Sequence, residues 1–338
     1  MHLHKSTVVV VMVAALLAAC APGFAQDVPE WAKVSDQQKA AAKALGIPVA
    51  FENPFGMRFI LIPAGKYMRG TATTPEDFVK NCEFVPYPRE AWISDESPQH
   101  EVTLSTPFYI SMCEVSQGQA AKIVGESKEK LPEGFAGPDM PVCVMDYPKA
   151  MQFCEKLREK EKSLNQGDAA GPHYTLPTEA QWEYACRAGT TTEFSYGDVS
   201  STDQSNYHGD YPYGKDAKKG LVRNRPVACG SLPPNPWGLH EMHGNVHEWM
   251  LDCFGTYPKE AATDPLGPEK GNNIWIMYCI RGGSWRDFAH ASRSSFRVYD
   301  DWWHRRDWYN SGLRIAIPLD AEGKFAVPKP ESEEKDKP

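Results

Sequence analysis

A glycine turn followed by hydroxyl, carboxylate, imidazole and indole side chains is the stretch of the sequence best suited to form a site. The Gly282-Gly283 pair ends a short apolar run, and polar and aromatic residues follow it directly. Because glycine allows turns at which a side chain would clash, this pair can aim the next residues into a pocket that recognises a polar ligand. The pocket candidates are Ser284, Trp285, Asp287, His290 and Ser292.

A second group of side chains that can do chemistry lies upstream, in segment 240–248. Two glutamates flank a glycine turn there, and hard oxygen ligands of this kind suit Ca²⁺. The segment also contains His240, His243 and His247, whose imidazoles could converge on Zn, Cu or Fe if the backbone were helical. Gly244-Asn245 argues against a continuous helix, so histidines that hydrogen-bond within a loop-rich core are the alternative.

Helices and strands that could position these groups are predicted from caps and periodicity. Ser35 is expected to cap a helix that ends at Gly46, and Asp146 to cap a longer one. Thr178 and Gln181 form a capping box at the start of a third helix. Apolar runs predict strands at 57–65, 101–104 and 107–115, with 65–70 as the hairpin partner of the first run.

Regular structure should be sparse in the second half of the chain. Between residues 187 and 280 the composition shifts to Gly, Pro, Asn, Asp and aromatic residues, which predicts long ordered loops. We therefore divide the chain into a lead-in with a short helix at 21–54, one domain at 55–318 and a disordered tail at 319–338. The predicted fold class is α+β with little regular secondary structure.

The N-terminus predicts export. A basic start is followed by an apolar run from Thr7 to Ala19, with small residues just before Cys20. This pattern is typical of a lipoprotein-type signal peptide at residues 1–20, with a lipid anchor on Cys20 as the only membrane contact. Ordinary cleavage after Ala25 is the alternative. Either route places the protein in the bacterial envelope, in the periplasm or on the outer membrane.

Charge and cysteine content narrow the possible partners. The 338 residues carry a net charge of -8 with no basic patch, which excludes a nucleic-acid partner. Eight cysteines follow Cys20 without any C-x-x-C spacing. In an exported protein this even number predicts a disulfide framework, and scattered free thiols are the alternative.

An ordered set of motifs resembles the formylglycine-generating enzyme, or sulfatase-modifying factor, family. The motifs are the run 57–65, the segments 95–102 and 176–185, Gly244-Asn245-Val246-His247-Glu248-Trp249, Arg281-Gly282-Gly283-Ser284-Trp285 and Gly312-Leu313-Arg314-Ile315-Ala316. The resemblance implies a mixed α+β domain related to C-type lectins and usually stabilised by calcium.

The resemblance also implies positions for the family's metals. Its two copper-binding cysteines fall on Asp287 and Ser292, and neither a carboxylate nor a hydroxyl replaces a thiolate as a ligand for Cu(I). Copper and formylglycine synthesis are therefore not expected. The implied calcium ligands are the side chains of Glu241 and Glu248 with the carbonyls of Gly244 and Val246. Asn206 and Tyr207 are the ligands of a weaker second calcium site.

The sequence thus predicts an exported binding or assembly module that lacks the two copper cysteines. Its partner would be a protein, a carbohydrate or another small molecule in the envelope. The alternative is a periplasmic oxidoreductase of the same family that uses a different metal and acts on a protein or a small molecule.

Overall fold

The computed structural model describes residues 27–164, 171–268, 277–300 and 309–326. The predicted signal peptide, Cys20 and Ala25 lie outside these residues. Helices in the described part of the chain are α1 (Asp36–Leu45), α2 (Pro75–Asn81), α3 (Gln117–Val124), α4 (Tyr147–Leu164) and α5 (Glu179–Arg187), with short 3₁₀ turns at Glu90–Glu96 and Ala289–Ser292. None of these helices is long and apolar enough to cross a bilayer.

The strands form three small sheets. They are β1 (Ala50–Glu52), β2 (Arg58–Ile62), β3 (Gly65–Arg69), β4 (His100–Leu104), β5 (Phe108–Ser111), β6 (His247–Cys253), β7 (Ala262–Thr263), β8 (Tyr278–Arg281), β9 (Val298–Asp300), β10 (Ser311–Gly312) and β11 (Ala316–Pro318). The sheet orders are β1-β2-β5-β11, β10-β6-β8-β9 and β3-β4-β7. This mixture of helices and strands confirms the α+β prediction, and the described residues 188–246 contain no named helix or strand.

The three predicted helix starts are confirmed. The side chain of Ser35 caps α1 in a reciprocal capping box, and the helix ends at Gly46 in the left-handed conformation. Thr178 caps α5 in the same way, and the N–H of Lys149 donates to the Asp146 carboxylate at the start of α4. Each cap joins residues three apart in the chain, so these signals can be recognised without knowing the tertiary fold.

The predicted hairpin between the first two apolar runs is wrong. Strand β3 forms and pairs antiparallel with β4, with Gly65 opposite Leu104 and Arg69 opposite His100. Strand β2 has β1 on one edge and β5 on the other, so it has no free edge for β3. The chain therefore leaves the first sheet after Ile62 and begins the third.

The core lies between these sheets and helices α4 and α5. Trp182 and Trp249 are fully buried in it, and the Trp249 indole donates to the carbonyl of Met145. All eight described cysteines are free thiols, five of them buried, as in the second of the two alternatives. The fold is held by apolar packing and buried ion pairs in place of the disulfide framework.

The ordered domain extends beyond the predicted start of the tail. Leu319 is buried, and Ala326 donates its N–H to the carbonyl of Pro318. Gly323 turns the chain back beside Leu45 and Ile47 of the lead-in. Residues 319–326 thus pack on the domain because this turn covers the end of α1, and residues 327–338 lie outside the described part.

Candidate functional site

The predicted glycine turn forms at the end of β8. Gly282 and Gly283 both have positive φ, at 92° and 71°. A Cβ on Gly283 would lie 2.5 Å from the carbonyl oxygen of Ala291, so only glycine fits this close approach. The carbonyl of Gly282 accepts from the N–H of Gly244 at 2.7 Å, which joins this turn to the one before β6.

Ser284, Asp287 and His247 meet at this junction. The hydroxyl of Ser284 donates to Asp287 Oδ2 at 2.5 Å. His247 Nε2 lies 2.8 Å from the same oxygen, although it is poorly aligned for a hydrogen bond. Strands β6 and β8 pair with Glu248 opposite Arg281, and this register brings the start of β6 beside the glycine turn. Ser284 and His247 are buried, whereas 30% of the Asp287 side chain is exposed.

Several buried polar atoms around this junction have no hydrogen-bond partner among the described residues. They are His247 Nδ1, Ser292 Oγ, Asn310 Oδ1 and Ser311 Oγ. The amide of Asn310 donates to Ser284 Oγ at 3.3 Å, so its carbonyl oxygen is held close to the same junction. Because an unpaired buried polar atom costs free energy, such a cluster marks a place where a ligand or ordered water would be stabilised.

Aromatic rings form one wall beside this junction. The half-buried indole of Trp285 donates to the carbonyl of Tyr309 at 3.0 Å and packs edge-on against Phe135, with ring centroids 5.4 Å apart. Phe135 also lies 6.0 Å from the ring of Tyr309. Next to Asp287 and Ser284, this wall offers a flat apolar face and polar groups in one place.

His290 packs elsewhere, in a second, smaller core cluster that contains Phe78 and Trp92. Its ring stacks on Trp92 at 5.0 Å and meets Phe78 edge-on at 5.8 Å. Burial and the nearby Arg293 lower its pKa to about 3, against an opposing effect of Asp287. The 3₁₀ turn Ala289–Ser292 directs this imidazole into the core, which spacing alone did not reveal.

The three histidines of segment 240–248 have separate partners. His240 Nδ1 bonds the carbonyl of Leu232, whereas His247 lies beside Asp287. His243 bonds the carbonyl of Ser292 through Nδ1 and the N–H and hydroxyl of Ser195 through Nε2. Burial lowers the pKa of His243 to about 4, so its ring is neutral. No group of three or more His, Cys, Asp or Glu side chains in the described residues is arranged to hold a metal ion.

The predicted calcium ligands have internal partners. Glu241 accepts the N–H groups of Gly230 and Leu232, and Glu248 accepts from Arg314 and from the indole of Trp182. A third buried carboxyl group, that of Glu114, adjoins them, and it accepts from the side chain of Asn245 and the N–H of Val246. Burial, Glu241 and Glu248 raise the pKa of Glu114 well above its ordinary value.

At the second predicted calcium site, the side-chain oxygen of Asn206 is available to a ligand. Asn206 is fully buried, and its amide N–H₂ donates to Arg225 and Asn245, but Oδ1 has no hydrogen-bond partner in the described part of the chain. Tyr207 follows it, with its ring buried and its hydroxyl donating to Ser200. Asp210, a possible acidic ligand here, lies 3.9 Å from the ammonium group of Lys219.

Sequence reasoning missed Asn310 and Glu114 as parts of these arrangements. Both stand next to motifs that were recognised, Asn310 before Ser311-Gly312 and Glu114 before Val115. Their roles depend on contacts with residues far away in the chain, such as Ser284 and Asn245. Arg293, which could have formed part of a recognition surface, is instead buried in an ion pair with Glu96. Arg297 and Arg314 have the structural role that we expect for them, in buried ion pairs with Glu179 and Glu248. The guanidinium and aromatic side chains of the next segment would also suit such a surface and lie outside the described residues; they are Trp302, Trp303, His304, Arg305, Arg306 and Trp308.

The chain is similar in sequence and in fold to proteins that are already known. Residues 49–319 match the model of the sulfatase-modifying factor enzyme 1-like domain. The formylglycine-generating enzyme of Mycobacterium tuberculosis is 36% identical over 134 residues, which are 36% of this chain and 44% of that enzyme. The match therefore spans less than half of this relative.

Two further relatives match over a longer stretch. The inactive C-alpha-formylglycine-generating enzyme 2 of Mus musculus is 32% identical over 58% of this chain and 69% of its own length. The chaperone protein LppX of Paenibacillus barcinonensis is 27% identical over 58% of this chain and 75% of its own length. Among solved structures, PvdO from Pseudomonas aeruginosa superposes with a TM-score of 0.57 at 25% identity, covering 80% of this chain and 98% of PvdO.

Proposed function

The chain belongs to the family of sulfatase-modifying factor enzyme 1-like domains, and from this premise we propose that it is a binding or assembly module of the cell envelope and not a copper oxidase. The binding site in this proposal is the junction of the glycine turn, the start of β6 and the aromatic wall of Trp285. The partner is a protein, a carbohydrate or another small molecule that offers polar groups to Asp287 and an apolar face to Trp285.

The observation that carries this proposal is the pair of side chains at positions 287 and 292. The family resemblance assigns the copper-binding thiolates to these positions, where the chain has a carboxylate and a hydroxyl. The Asp287 carboxylate accepts the hydroxyl of Ser284 and lies beside His247. A soft Cu(I) ion prefers sulfur ligands, so this oxygen-rich arrangement suits hydrogen bonding to a ligand better than copper.

The names of two relatives agree with a role other than oxidation. The Mus musculus relative is called inactive, and the Paenibacillus barcinonensis relative is called a chaperone. A family domain can therefore be retained without the oxidase activity, and a role in assembling another protein is compatible with the domain. The predicted lipid anchor on Cys20, or cleavage after Ala25, would place this module in the envelope.

Calcium is part of the proposal as a structural ion. Three buried carboxyl groups, those of Glu114, Glu241 and Glu248, share the single guanidinium of Arg314, which pairs with Glu248. Burial raises the pKa of Glu241 to about 7, against the opposing effects of the backbone N–H groups of Gly230 and Leu232 and of the Arg314 guanidinium. The carbonyls of Gly244 and Val246 would complete the ligand set, and the unpaired Oδ1 of Asn206 supports a weaker second site.

An oxidoreductase with a different metal is the second candidate. It is favoured by the buried imidazole of His247, whose Nδ1 has no hydrogen-bond partner among the described residues while Nε2 lies beside Asp287. Nitrogen and oxygen donors together suit iron, zinc or Cu(II). The substrate would be a protein or a small molecule.

Two measurements on the purified full-length protein separate these candidates. Metal analysis by mass spectrometry should find calcium without stoichiometric Cu, Fe or Zn, and a peptide with the sequence Cys-x-Pro-x-Arg should remain unoxidised. Stoichiometric Fe or Zn would favour the oxidoreductase. An aldehyde on the peptide would overturn the proposal.

A further inference from the structure

A cavity of about 320 Å³ lies beside Glu114, at the end of β5. It opens between the end of β5 and the loop 225–232. Its lining includes two cysteines, Cys113 and Cys229, together with the acidic residues Glu52, Glu114 and Asp139. Nothing in the family resemblance uses these two thiols.

Cys113 and Cys229 approach each other across this cavity. Cys113 Sγ lies 3.5 Å from the position that a Cβ on Gly230 would occupy, and Gly230 directly follows Cys229. Both cysteines are half-buried. The third half-buried cysteine in the described residues, Cys253, ends β6 opposite Tyr278 in another sheet.

The backbone on both sides of the cavity is held in place. The N–H of Cys229 donates to the carbonyl of Asp139 at 2.9 Å, and the hydroxyl of Ser111 donates to the carbonyl of Cys113 at 2.8 Å. The carboxylate of Glu241 accepts the N–H of Gly230 at 2.8 Å and thereby fixes the loop beyond Cys229. These hydrogen bonds fix each of the two segments separately, and a disulfide requires that their Cα atoms lie within about 7 Å of each other.

The surroundings favour an uncharged form of this pair. Burial and Glu241 raise the pKa of Cys113, and burial, Glu114 and Cys113 raise that of Cys229. Metal binding by two cysteines requires two thiolates, which would stand beside these carboxyl groups. A disulfide carries no charge, so the acidic cavity does not oppose it.

We propose that Cys113 and Cys229 are a redox modification site that closes as a disulfide across this cavity. The small ionised fraction of one cysteine attacks an external disulfide as a thiolate, slowly because the thiol pKa is raised. The external disulfide, such as oxidised glutathione or the disulfide of an oxidoreductase, then releases one thiol. The second cysteine then attacks the mixed disulfide and releases the other thiol. The two cysteines lose two electrons and two protons, and the external disulfide gains them.

The disulfide would restrain a series of contacts that connects Cys113 to the proposed binding site. Glu114 follows Cys113 directly and holds the side chain of Asn245 and the N–H of Val246. His247 is the next residue, and its N–H donates to the carbonyl of Asn310. Closing the disulfide should therefore reduce motion at the turn before β6 as well as in the loop 225–232.

Peptide mapping of the full-length protein tests this proposal. The protein is equilibrated with defined mixtures of reduced and oxidised glutathione, quenched with acid, alkylated and digested without reduction. The expected product is one cross-linked peptide pair joining Cys113 to Cys229, with two hydrogen atoms lost and the other described cysteines still alkylated. The oxidised form should melt about 5 °C or more above the reduced form, because the bridge restrains a long loop of the unfolded chain.

Matched variants complete the test. Cys253→Ser should leave the cross-link intact, whereas Cys113→Ser should abolish it and leave Cys229 alkylated. Mapping of the wild-type protein needs no variant, so a folding defect in Cys113→Ser does not weaken the test. Two separate mixed disulfides with glutathione, persistent alkylation of both cysteines under oxidising conditions, or pairing with any other cysteine would each overturn the proposal. The result does not depend on the proposed binding function, because it requires neither a ligand nor calcium.

Discussion

The Glu179 carboxylate accepts two parallel hydrogen bonds of 2.7 Å from the guanidinium of Arg297, although the two residues are far apart in the chain. The same carboxylate bonds Arg69 at 2.6 Å and lies 3.3 Å from Arg281. One side chain at the start of α5 thus joins β3, β8 and the segment that follows the glycine turn. Burial alone would raise its pKa, but Arg297, Arg69 and Arg281 hold the pKa of Glu179 well below its ordinary value.

We predict that Glu179→Gln strongly destabilises the fold. The substitution leaves three buried guanidinium groups with less negative charge nearby, and breaking a buried ion pair typically costs about 3 to 5 kcal/mol. Urea unfolding at pH 7 measures the change in the free energy of unfolding. Glu101→Gln is the matched control, because its pair with Lys66 is largely exposed and should contribute little. Equal effects of the two substitutions would contradict a structural role for the Glu179 network.

Buried histidines should make the protein less stable in mild acid. Burial lowers the pKa of His243 to about 4 and that of His290 to about 3, whereas an unfolded histidine has a pKa of about 6.5. Below pH 6.5 the unfolded state therefore binds more protons, so stability falls as the pH decreases, by about 2 kcal/mol per histidine at pH 5.

The variant His290→Phe tests how much one histidine contributes to this loss of stability in mild acid. It keeps an aromatic ring against Trp92 but cannot take up a proton. Between pH 7 and pH 5 its free energy of unfolding should fall about 2 kcal/mol less than that of the wild type. His173→Gln is the control, because His173 is only partly buried and should change the pH dependence less. Identical pH profiles for the wild type and His290→Phe would contradict this assignment.

Features that depend on residues close together in the chain could be predicted from the sequence, whereas features that depend on distant residues could not. The caps at Ser35 and Thr178 join residues within one helical turn, and the Gly282-Gly283 turn is fixed by the backbone of two residues, so the sequence reveals them. The pairing of β3 with β4 depends on which edge of β2 is free, and this is a property of the whole sheet. No local sequence pattern indicates this pairing of β3 with β4.

At the candidate site, too, the features set by neighbouring residues could be predicted and those set by distant residues could not. Ser284, Trp285 and Asp287 follow the glycine turn and were predicted from it, and Asp287 does bond Ser284. His290 is only three residues farther along, but a 3₁₀ turn directs it toward Trp92. The contribution of His247 comes from the register of β6 against β8, which sequence spacing does not encode.

Calcium should raise the melting temperature of the purified protein, and a chelator should lower it. A cation near Glu241 and Glu248 would stabilise the ionised forms of buried carboxyl groups, because burial raises the pKa values of Glu241 and Glu114 in its absence. Differential scanning fluorimetry with Ca²⁺, with Mg²⁺ and with a chelator measures the shift. Glu241→Gln should remove most of the Ca²⁺ shift, and Glu101→Gln should retain it. No difference between Ca²⁺ and chelator would rule out a calcium ion that stabilises the fold.

Cys20 should carry the only membrane anchor if the lipoprotein signal is correct. In bacterial cells the wild-type chain should partition with membranes and incorporate a labelled fatty acid, because two or more acyl chains give stable attachment. Cys20→Ala should incorporate no label. Intact-mass analysis of the mature protein identifies its first residue, and an unmodified chain that begins at Gln26 would show cleavage after Ala25 instead.

Restoring two thiols tests whether positions 287 and 292 are those of the family's copper ligands. The double variant Asp287→Cys, Ser292→Cys should bind one Cu(I) per chain more than the wild type, because two thiolates supply the soft ligands that the oxygen groups lack. Ser292 Oγ already lies close to the glycine turn, at 2.8 Å from the position of a Cβ on Gly283, so a thiol there faces the same junction as residue 287. Competition with a chromophoric Cu(I) chelator measures the gain. Asp287→Cys and Ser292→Cys alone are the matched controls and should each bind more weakly than the double variant. If the double variant binds no more Cu(I) than the single ones, the two positions do not face each other as the family resemblance implies, and the argument that oxygen groups replace a copper site at this junction fails.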